Sequence, residues 1–474
     1  MAGFIRQVKL FPKTFWAANT LELFERWAYY GIFNLLALYL TNSPESGALG
    51  FTQVEKGMIM GTVNFILYFL PVITGAIADK FGYRKVLIIA FIVLVSGYYL
   101  MGIVKSYSSV FITFFYVAIG AALFKPIISA TIAKTTTDEN SSLGFGIFYM
   151  MINVGGMLGP FLASELREVS WNYIFIMSSA SIALNLLITI FIFREPDRQR
   201  NTDPLLKSFR IIFTNIIRVV MDFKFSLFLL IIIFSWTVYW QFFFSLPVFI
   251  EQWTDTSIMY DALYSKVPGF ARAVGTSEGI ILAEKIITLD AVFIVIFQVI
   301  VSTLISRFKA LNSMTTGIFI NTLGLTLAVM TMNPFFLVLS ILIFSFGEMT
   351  FSPKILEYIG KIAPRDKAAL YMGTQFLPIS IGNFLGGFIS GRVYEKLADK
   401  VTMMKDLLPA GTYTGLTEEE ITRAAMEVSG LDHEGLRLFL WETNHPWMFG
   451  FVLAGMGIFS TVSLILYNRA FFRD

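Results

Sequence analysis

Cysteine is absent from the 474 residues, so the chain has no disulfide framework, no thiol nucleophile and no thiolate metal site. Histidine is nearly absent too. The two present, His433 and His445, do not make a convincing metal ligand set, and no metal is expected. Charge is scarce. Only 15% of residues are charged, where a soluble globular chain has about 25%. With a net charge of +3, nucleic acid is not an expected partner. No Ser-His pair or His/Asp cluster lies within the apolar segments, which argues against a membrane enzyme. Strict polar/apolar alternation is also missing, which excludes an outer-membrane type of barrel.

What remains is apolar. Hydrophobic residues make up 56% of the chain, 49 of them Phe, and mean hydropathy is +0.68. Runs of about twenty apolar residues recur, the length that crosses a bilayer as a helix. About twelve such spans are expected. Six lie near 14–41, 53–79, 84–105, 108–134, 141–166 and 172–194, and six near 222–250, 279–305, 311–333, 335–360, 368–393 and 446–470. The reading is an all-α integral membrane protein: a six-helix bundle over 1–195, a linker over 196–221, and a second six-helix bundle over 222–474. The short basic start, 1–13, runs directly into the first span and does not read as a cleaved signal peptide.

Basic residues sort by side. Arg6, Lys9 and Lys13 precede the first span, and Lys80, Arg84 and Lys85 join spans two and three. Arg307 and Lys309 follow span eight, and Lys361, Arg365 and Lys367 follow span ten. The linker adds Arg198, Arg200, Lys207, Arg210 and Arg218, and turns amphipathic over 205–220. The opposite connections after spans one, three and five carry only Lys56, Lys105 and Arg167. The positive-inside rule then places both termini and the linker in the cytoplasm. Insertions near 253–279 and 395–445 fall on the other side. In the larger one, Thr417 precedes Glu418-Glu419-Glu420 as a helix cap precedes an acidic first turn.

Charge inside the first span is the feature that needs an explanation. Glu22, Glu25 and Arg26 are spaced i, i+3, i+4 and share one helix face, which Tyr29 and Tyr30 continue. Each charge at mid-membrane costs roughly 2.5–3.5 kcal/mol, so such residues persist where they face partners or a wet cavity. Lys125 in span four needs a counter-charge, and Glu22 or Glu25 is the natural one. Asp290 and Glu348 sit inside spans eight and ten, without a lysine at the helical spacing that would pair them. Glycines near Asn153 in span five and near Asn383 in span eleven have the small-residue spacing of closely packed helices.

Gly75-Ala76-Ile77-Ala78-Asp79-Lys80-Phe81-Gly82-Tyr83-Arg84-Lys85 resembles the loop signature of the major facilitator superfamily. Asp79, Arg84 and Lys85 would act there as a conformational lock. Within that superfamily, Glu22-x-x-Glu25-Arg26 is similar to a motif of the proton-dependent oligopeptide transporters. Phe148-Tyr149-Met150-Met151-Ile152-Asn153-Val154-Gly155 and Gly120 with Lys125-Pro126 resemble two further signatures of the same family. Gly347-Glu348 with Ser352-Pro353 resembles its span-ten acid and proline break, and Trp236 its span-seven tryptophan. The chain departs from the family pattern at Ala122, Phe33, Tyr239-Trp240 and Asp290-Ala291, and lacks the two extra spans of many bacterial members.

The resemblance implies a monomeric, cofactor-free symporter in the cytoplasmic membrane that couples protons to small peptides or peptide-like zwitterions. Glu22, Glu25, Arg26 and Lys125 would couple the proton. Tyr29, Tyr30, Tyr68, Lys125, Asn153, Trp236, Asp290 and Glu348 would bind substrate, with the lipid bilayer as the other partner. A transporter or antiporter of another small solute, and a membrane sensor without flux, are the alternatives.

Overall fold

Every regular element in the computed structural model is helical among the described residues, which are 10–137, 140–196, 204–363 and 368–471. Arg6, Lys9, Arg198, Arg200, Arg365 and Lys367 lie outside them. The first half contains α1 (Lys13–Thr41), α2 (Gln53–Phe69), α3 (Pro71–Phe81), α4 (Tyr83–Met101), α5 (Tyr107–Lys134), α6 (Ser141–Val169) and α7 (Trp171–Phe191). The linker folds as α8 (Leu205–Val220). Then come α9 (Phe223–Tyr239), α10 (Gln241–Phe244), α11 (Leu246–Trp253), α12 (Ser257–Lys266), α13 (Pro268–Val274), α14 (Ala283–Ile305), α15 (Ala310–Ala328) and α16 (Pro334–Ile362). The chain ends with α17 (Ala368–Gly373), α18 (Phe376–Phe388), a π turn (Ile389–Val393), α19 (Tyr394–Leu397), α20 (Lys400–Leu407), α21 (Glu418–Ser429), α22 (His433–Asn444) and α23 (Phe449–Phe471).

Eight helices are long and apolar enough to cross a membrane, and the α2–α3 pair, bent by 45°, makes nine. Pro71 at the start of α3 explains that bend, since it donates no backbone hydrogen bond. Three further expected spans are helical but more polar or broken. These are α1 with its three charges, the Asn- and Thr-rich α15, and the stretch from α17 to α19. With these three, the expected twelve are accounted for. Span seven is likewise segmented, into α9, α10 and α11, with Pro247 entering α11. Pro353, in contrast, sits inside an unbroken α16, so the expected proline break does not interrupt the helix.

One compact unit comprises Met1–Phe33, Val63–Ser226 and Ala363–Ser380. Inside it α1 has three differently used faces. Towards α7, Ser178, Ser181 and Asn185 donate to the carbonyls of Ala28, Phe24 and Leu21 at 3.1, 2.9 and 2.8 Å. These bonds satisfy polar side chains without water and fix the rotation of α1. Towards α6 the contact is closer than a side chain permits. A Cβ on Gly155 would lie 2.6 Å from the Leu23 carbonyl, and one on Gly159 would strike the Trp27 carbonyl. The third face carries Glu22, Glu25, Arg26 and Tyr29. At about 100° per residue it lies roughly a third of a turn from the α7 face. In the same unit α8 leaves Leu206, Phe213 and Ile217 exposed beside Lys207, Arg210 and Arg218, the pattern of a helix lying in a membrane interface.

A second compact unit comprises Asn34–Thr62, Leu227–Ile362 and Ile381–Asp474. It holds the end of α1 and the start of α2 together with α9 to α16 and α18 to α23. Gly57-x-x-x-Gly61 of α2 faces Gly387-x-x-x-Gly391 of α18 and the π turn. A Cβ on Gly61 would lie 2.8 Å from the Gly387 Cα, so only glycine permits this crossing. Beside it Lys56, fully buried, donates to the Gln53 side chain at 2.7 Å and lies 5.1 Å from the Tyr394 ring centre. The larger insertion forms α20, α21 and α22. Thr417 caps α21, as the sequence led us to expect, and Glu420 reaches back to complete a capping box.

Candidate functional site

The charges of α1 do not face lipid. Glu22, Glu25 and Arg26 are 4%, 0% and 5% exposed. Arg26 Nε donates to Glu25 Oε2 at 2.6 Å, a second guanidinium nitrogen pairs with the same carboxylate, and Glu22 lies 3.4 Å from Nε. One arginine therefore serves two carboxylates, and Glu25 Oε1 has no hydrogen-bond partner among the described residues. The guanidinium also lies 5.0 Å from the Tyr29 ring centre and 5.7 Å from that of Tyr30. Tyr68 and Tyr98 complete the aromatic surround of Tyr29.

Lys125 comes to this cluster from α5, but not as a salt-bridge partner. Its ammonium sits 4.4 Å from the Tyr68 ring centre, and among the described residues it makes no ion pair or hydrogen bond. The expected direct pairing with Glu22 or Glu25 is replaced by a cation–π contact, because Arg26 already occupies both acids. Phe33, which stands where the family commonly has a cation, is buried and stacks on Tyr29 at 5.1 Å. Asn153 is half-buried on α6, and its amide donates back to the Tyr149 carbonyl at 2.8 Å.

In the second unit, α9, α14 and α16 bring together Trp236, Asp290 and Glu348. Asp290 accepts from Ser345 Oγ at 2.6 Å, and Glu348 Oε1 accepts from the Tyr239 hydroxyl at 3.0 Å. Neither acid forms an ion pair among the described residues, and Glu348 Oε2 has no hydrogen-bond partner there. Trp236 packs edge-on against Tyr239 and Phe351, with its indole N–H buried and without a hydrogen-bond partner among the described residues. Sequence reasoning treated Tyr239 only as a departure from the family acid. Its position in an apolar run carried no sign that it would anchor Glu348. Ser345 was not singled out, although it precedes Glu348 by three residues on one helix face.

The loop motif is ordered around Tyr83. Its hydroxyl donates to Asp79 at 3.1 Å and accepts from Lys134 at 3.2 Å, while its backbone N–H donates to Glu195. Arg84 donates to the carbonyls of Thr189 and Ile190 at the end of α7, and Lys85 is exposed. The turn requires Gly82, whose φ of 106° is a glycine conformation.

Chemically, the first cluster sums to zero charge with both acids and both bases ionised. One added proton leaves a net positive site, and Lys125 is its uncommitted cation. The second cluster has two carboxyls supported by hydroxyls rather than cations, which suits an amine.

Residues 16–285 match the model of the Major Facilitator Superfamily. Dipeptide and tripeptide permease B of Salmonella typhimurium (strain LT2) is 24% identical over 460 residues, covering 85% of this chain and 91% of the permease. An uncharacterized transporter, YclF of Bacillus subtilis (strain 168), is 30% identical over 173 residues. That match spans 36% of this chain and about a third (35%) of YclF. Among solved structures, a POT family transporter in complex with 5-aminolevulinic acid aligns with a TM-score of 0.70 at 15% identity, covering 98% of this chain and 100% of that one. The nucleoside transporter NupG aligns at 0.64 with 14% identity, covering 96% and 99%. At these identities the structures speak for the fold. The chain belongs to the Major Facilitator Superfamily and, in its motifs and its relatives, resembles the proton-dependent oligopeptide transporters of that superfamily.

Proposed function

We propose that the protein is a proton-coupled symporter that imports small peptides or peptide-like zwitterions across the cytoplasmic membrane by alternating access. The moving halves are the bundles 1–195 and 222–474, joined by the cytoplasmic linker 196–221. It works as a monomer, with protons as the only coupling ion and both termini in the cytoplasm. The observation that carries this reading is the buried, formally neutral set Glu22, Glu25, Arg26 and Lys125, with one cation left uncommitted. A proton on Glu25 or Glu22 loosens the hold on Arg26, and Lys125, helped by Arg26, takes the ligand carboxylate. Asp290 and Glu348 draw the ligand amine, while Tyr29, Tyr30, Tyr68, Asn153 and Trp236 line the site. Release of the proton restores the internal pairing and expels the carboxylate. A ligand and a proton thus stabilise one state together, which is the requirement for coupling. Asp79, Arg84 and Lys85 form the lock that changes as the halves move.

The supporting relatives include a dipeptide and tripeptide permease. The test is uptake of dialanine and trialanine into proteoliposomes with and without an imposed inward proton gradient. Accumulation above the external concentration only with the gradient supports the proposal, and gradient-independent equilibration overturns it. A second reading, transport of a different small solute on the same fold, draws on Phe33 in place of a cation and on the structural likeness to NupG. Competition of dialanine uptake by nucleosides separates the two.

A further inference from the structure

Beneath the 395–445 insertion, and wholly inside the second unit, lies a cavity of about 880 Å³. Its walls are the α1–α2 connection, the end of α11, and α20 and α21 of the insertion. Its volume falls within the range of sites for drug-sized ligands, roughly 300–1,000 Å³. Lys400 lines it, 8% exposed. Among the described residues its ammonium has neither a hydrogen bond nor an ion pair. The Glu418 carboxyl across the cavity is likewise without either. Lys400 and Glu418 interact electrostatically, yet no ion pair closes between them.

Three other acids of the cavity are already engaged, and the fourth, Glu419, is exposed. Asp399 accepts from Gln53 at 3.0 Å, Gln252 at 2.8 Å and Thr402 at 2.8 Å. Glu395 accepts from the Val54 N–H at 3.1 Å, and Glu251 from Asn42 at 2.9 Å. The structure therefore leaves Lys400, the most buried cation of the cavity, and the half-buried Glu418 without a closed ion pair, while Lys405 is half-buried and Arg423 and Glu419 line the cavity at exposed positions. A buried charge without a partner is costly. An anion alone would meet the surrounding carboxylates, and a cation alone would meet Lys400. A ligand bearing both charges answers both.

We propose that this cavity is a second binding site for small zwitterions, in which Lys400 holds the carboxylate and Glu418 the ammonium. None of Glu22, Glu25, Arg26, Lys125, Asp290 and Glu348 lines it, and it collects ligand at the face of the insertion. Only the identification of that face as extracytoplasmic, and of peptides as the physiological zwitterions, rests on the proposed function. Burial pushes the Glu418 carboxyl up to about 7, against the pull of Lys400 and Lys405, which fits a group awaiting a counter-charge.

The test is equilibrium binding of dialanine and of β-alanine to the full-length purified protein in nanodiscs, alongside proton-driven dialanine uptake. The wild type is expected to bind two equivalents of at least one zwitterion. Lys400→Gln and Glu418→Gln should each remove one equivalent, or weaken it roughly tenfold or more, whereas Lys400→Arg keeps it. Lys125→Gln should remove the other equivalent and leave the Lys400-dependent one. Lys400-dependent binding without driven uptake would sink the symporter reading and sustain this site. Driven uptake with binding unaffected by both Lys400→Gln and Glu418→Gln would sink this site and sustain the symporter. Failure of both measurements would overturn both.

Discussion

Replacing Glu25 with glutamine removes one negative charge from a group that is fully buried and bonded to Arg26 through two nitrogens. The amide oxygen can still accept from Arg26, but Glu22, 3.4 Å from Nε, is left as the only anion on the guanidinium. Removing one partner of a buried ion pair costs about 3–5 kcal/mol, and the retained acceptor puts this change at the lower end. The functional consequence is larger than the stability one. A proton gradient supplies about 1.4 kcal/mol per pH unit for each proton carried, a tenfold concentration ratio. In proteoliposomes with one unit of imposed pH difference, the wild type is expected to accumulate dialanine up to about tenfold per coupled proton. Glu25→Gln should give a ratio near one. It should still exchange labelled for unlabelled dialanine in counterflow, because the ligand-binding cations remain. A Glu25→Gln protein that accumulates dialanine as the wild type does would refute the coupling role.

Three further outcomes follow from the geometry. Gly155→Leu places a side chain against the Leu23 carbonyl and Arg26 Cβ, at 2.6 and 2.7 Å from the first added carbon. Overpacking of about 1–3 kcal/mol should lower the melting temperature in detergent and abolish driven uptake, whereas Gly146→Ala, with nothing within 4 Å, should change neither. Tyr239→Phe deletes the donor to Glu348 and should raise the half-saturating dialanine concentration roughly tenfold, the value of a hydrogen bond to a charged group. An unchanged value would remove Glu348 from the ligand's path. Burial, reinforced by Asp399 and Glu251 and opposed by Lys400 and Lys405, raises Glu418 from 4.5 to about 7. The folded state therefore binds this proton more tightly than the unfolded one, and stability is present below about pH 4.5 and lost as pH rises through about 7. Amide exchange in α20 and α21, corrected for intrinsic rates, should accelerate between pH 5 and pH 8, and Glu418→Gln should remove that dependence.

Much of the architecture was readable because membrane insertion leaves a length signal. The spans expected at 14–41, 108–134 and 335–360 are observed as Lys13–Thr41, Tyr107–Lys134 and Pro334–Ile362. The amphipathic stretch 205–220 coincides with Leu205–Val220. Breaks were harder to read. Prolines at 71 and 247 interrupt helices while Pro126, Pro160 and Pro353 do not, since neighbouring packing decides whether the lost hydrogen bond becomes a kink. The Glu22–Arg26 cluster was legible from helical spacing alone. Partners that come from other helices were not. Nothing in sequence places Lys125 over Tyr68 rather than beside a carboxylate, or Ser345 and Tyr239 on the acids of α14 and α16. Lys354, in the same helix as Glu348, pairs instead with Glu357 three residues on, at 2.7 Å. Lys56 read as a loop cation but is sealed beneath Tyr394, a position set by the glycine crossing of α2 and α18.

The central claim is that ligand and proton bind the α1 cluster together. Its most direct measurement is the pH inside proteoliposomes when a dialanine gradient is imposed with no initial pH difference. The account predicts that inward dialanine carries protons, acidifying the lumen for the wild type and leaving it unchanged for Glu22→Gln with Glu25→Gln. Dialanine entry without luminal acidification, or acidification that survives loss of both carboxylates, would contradict it.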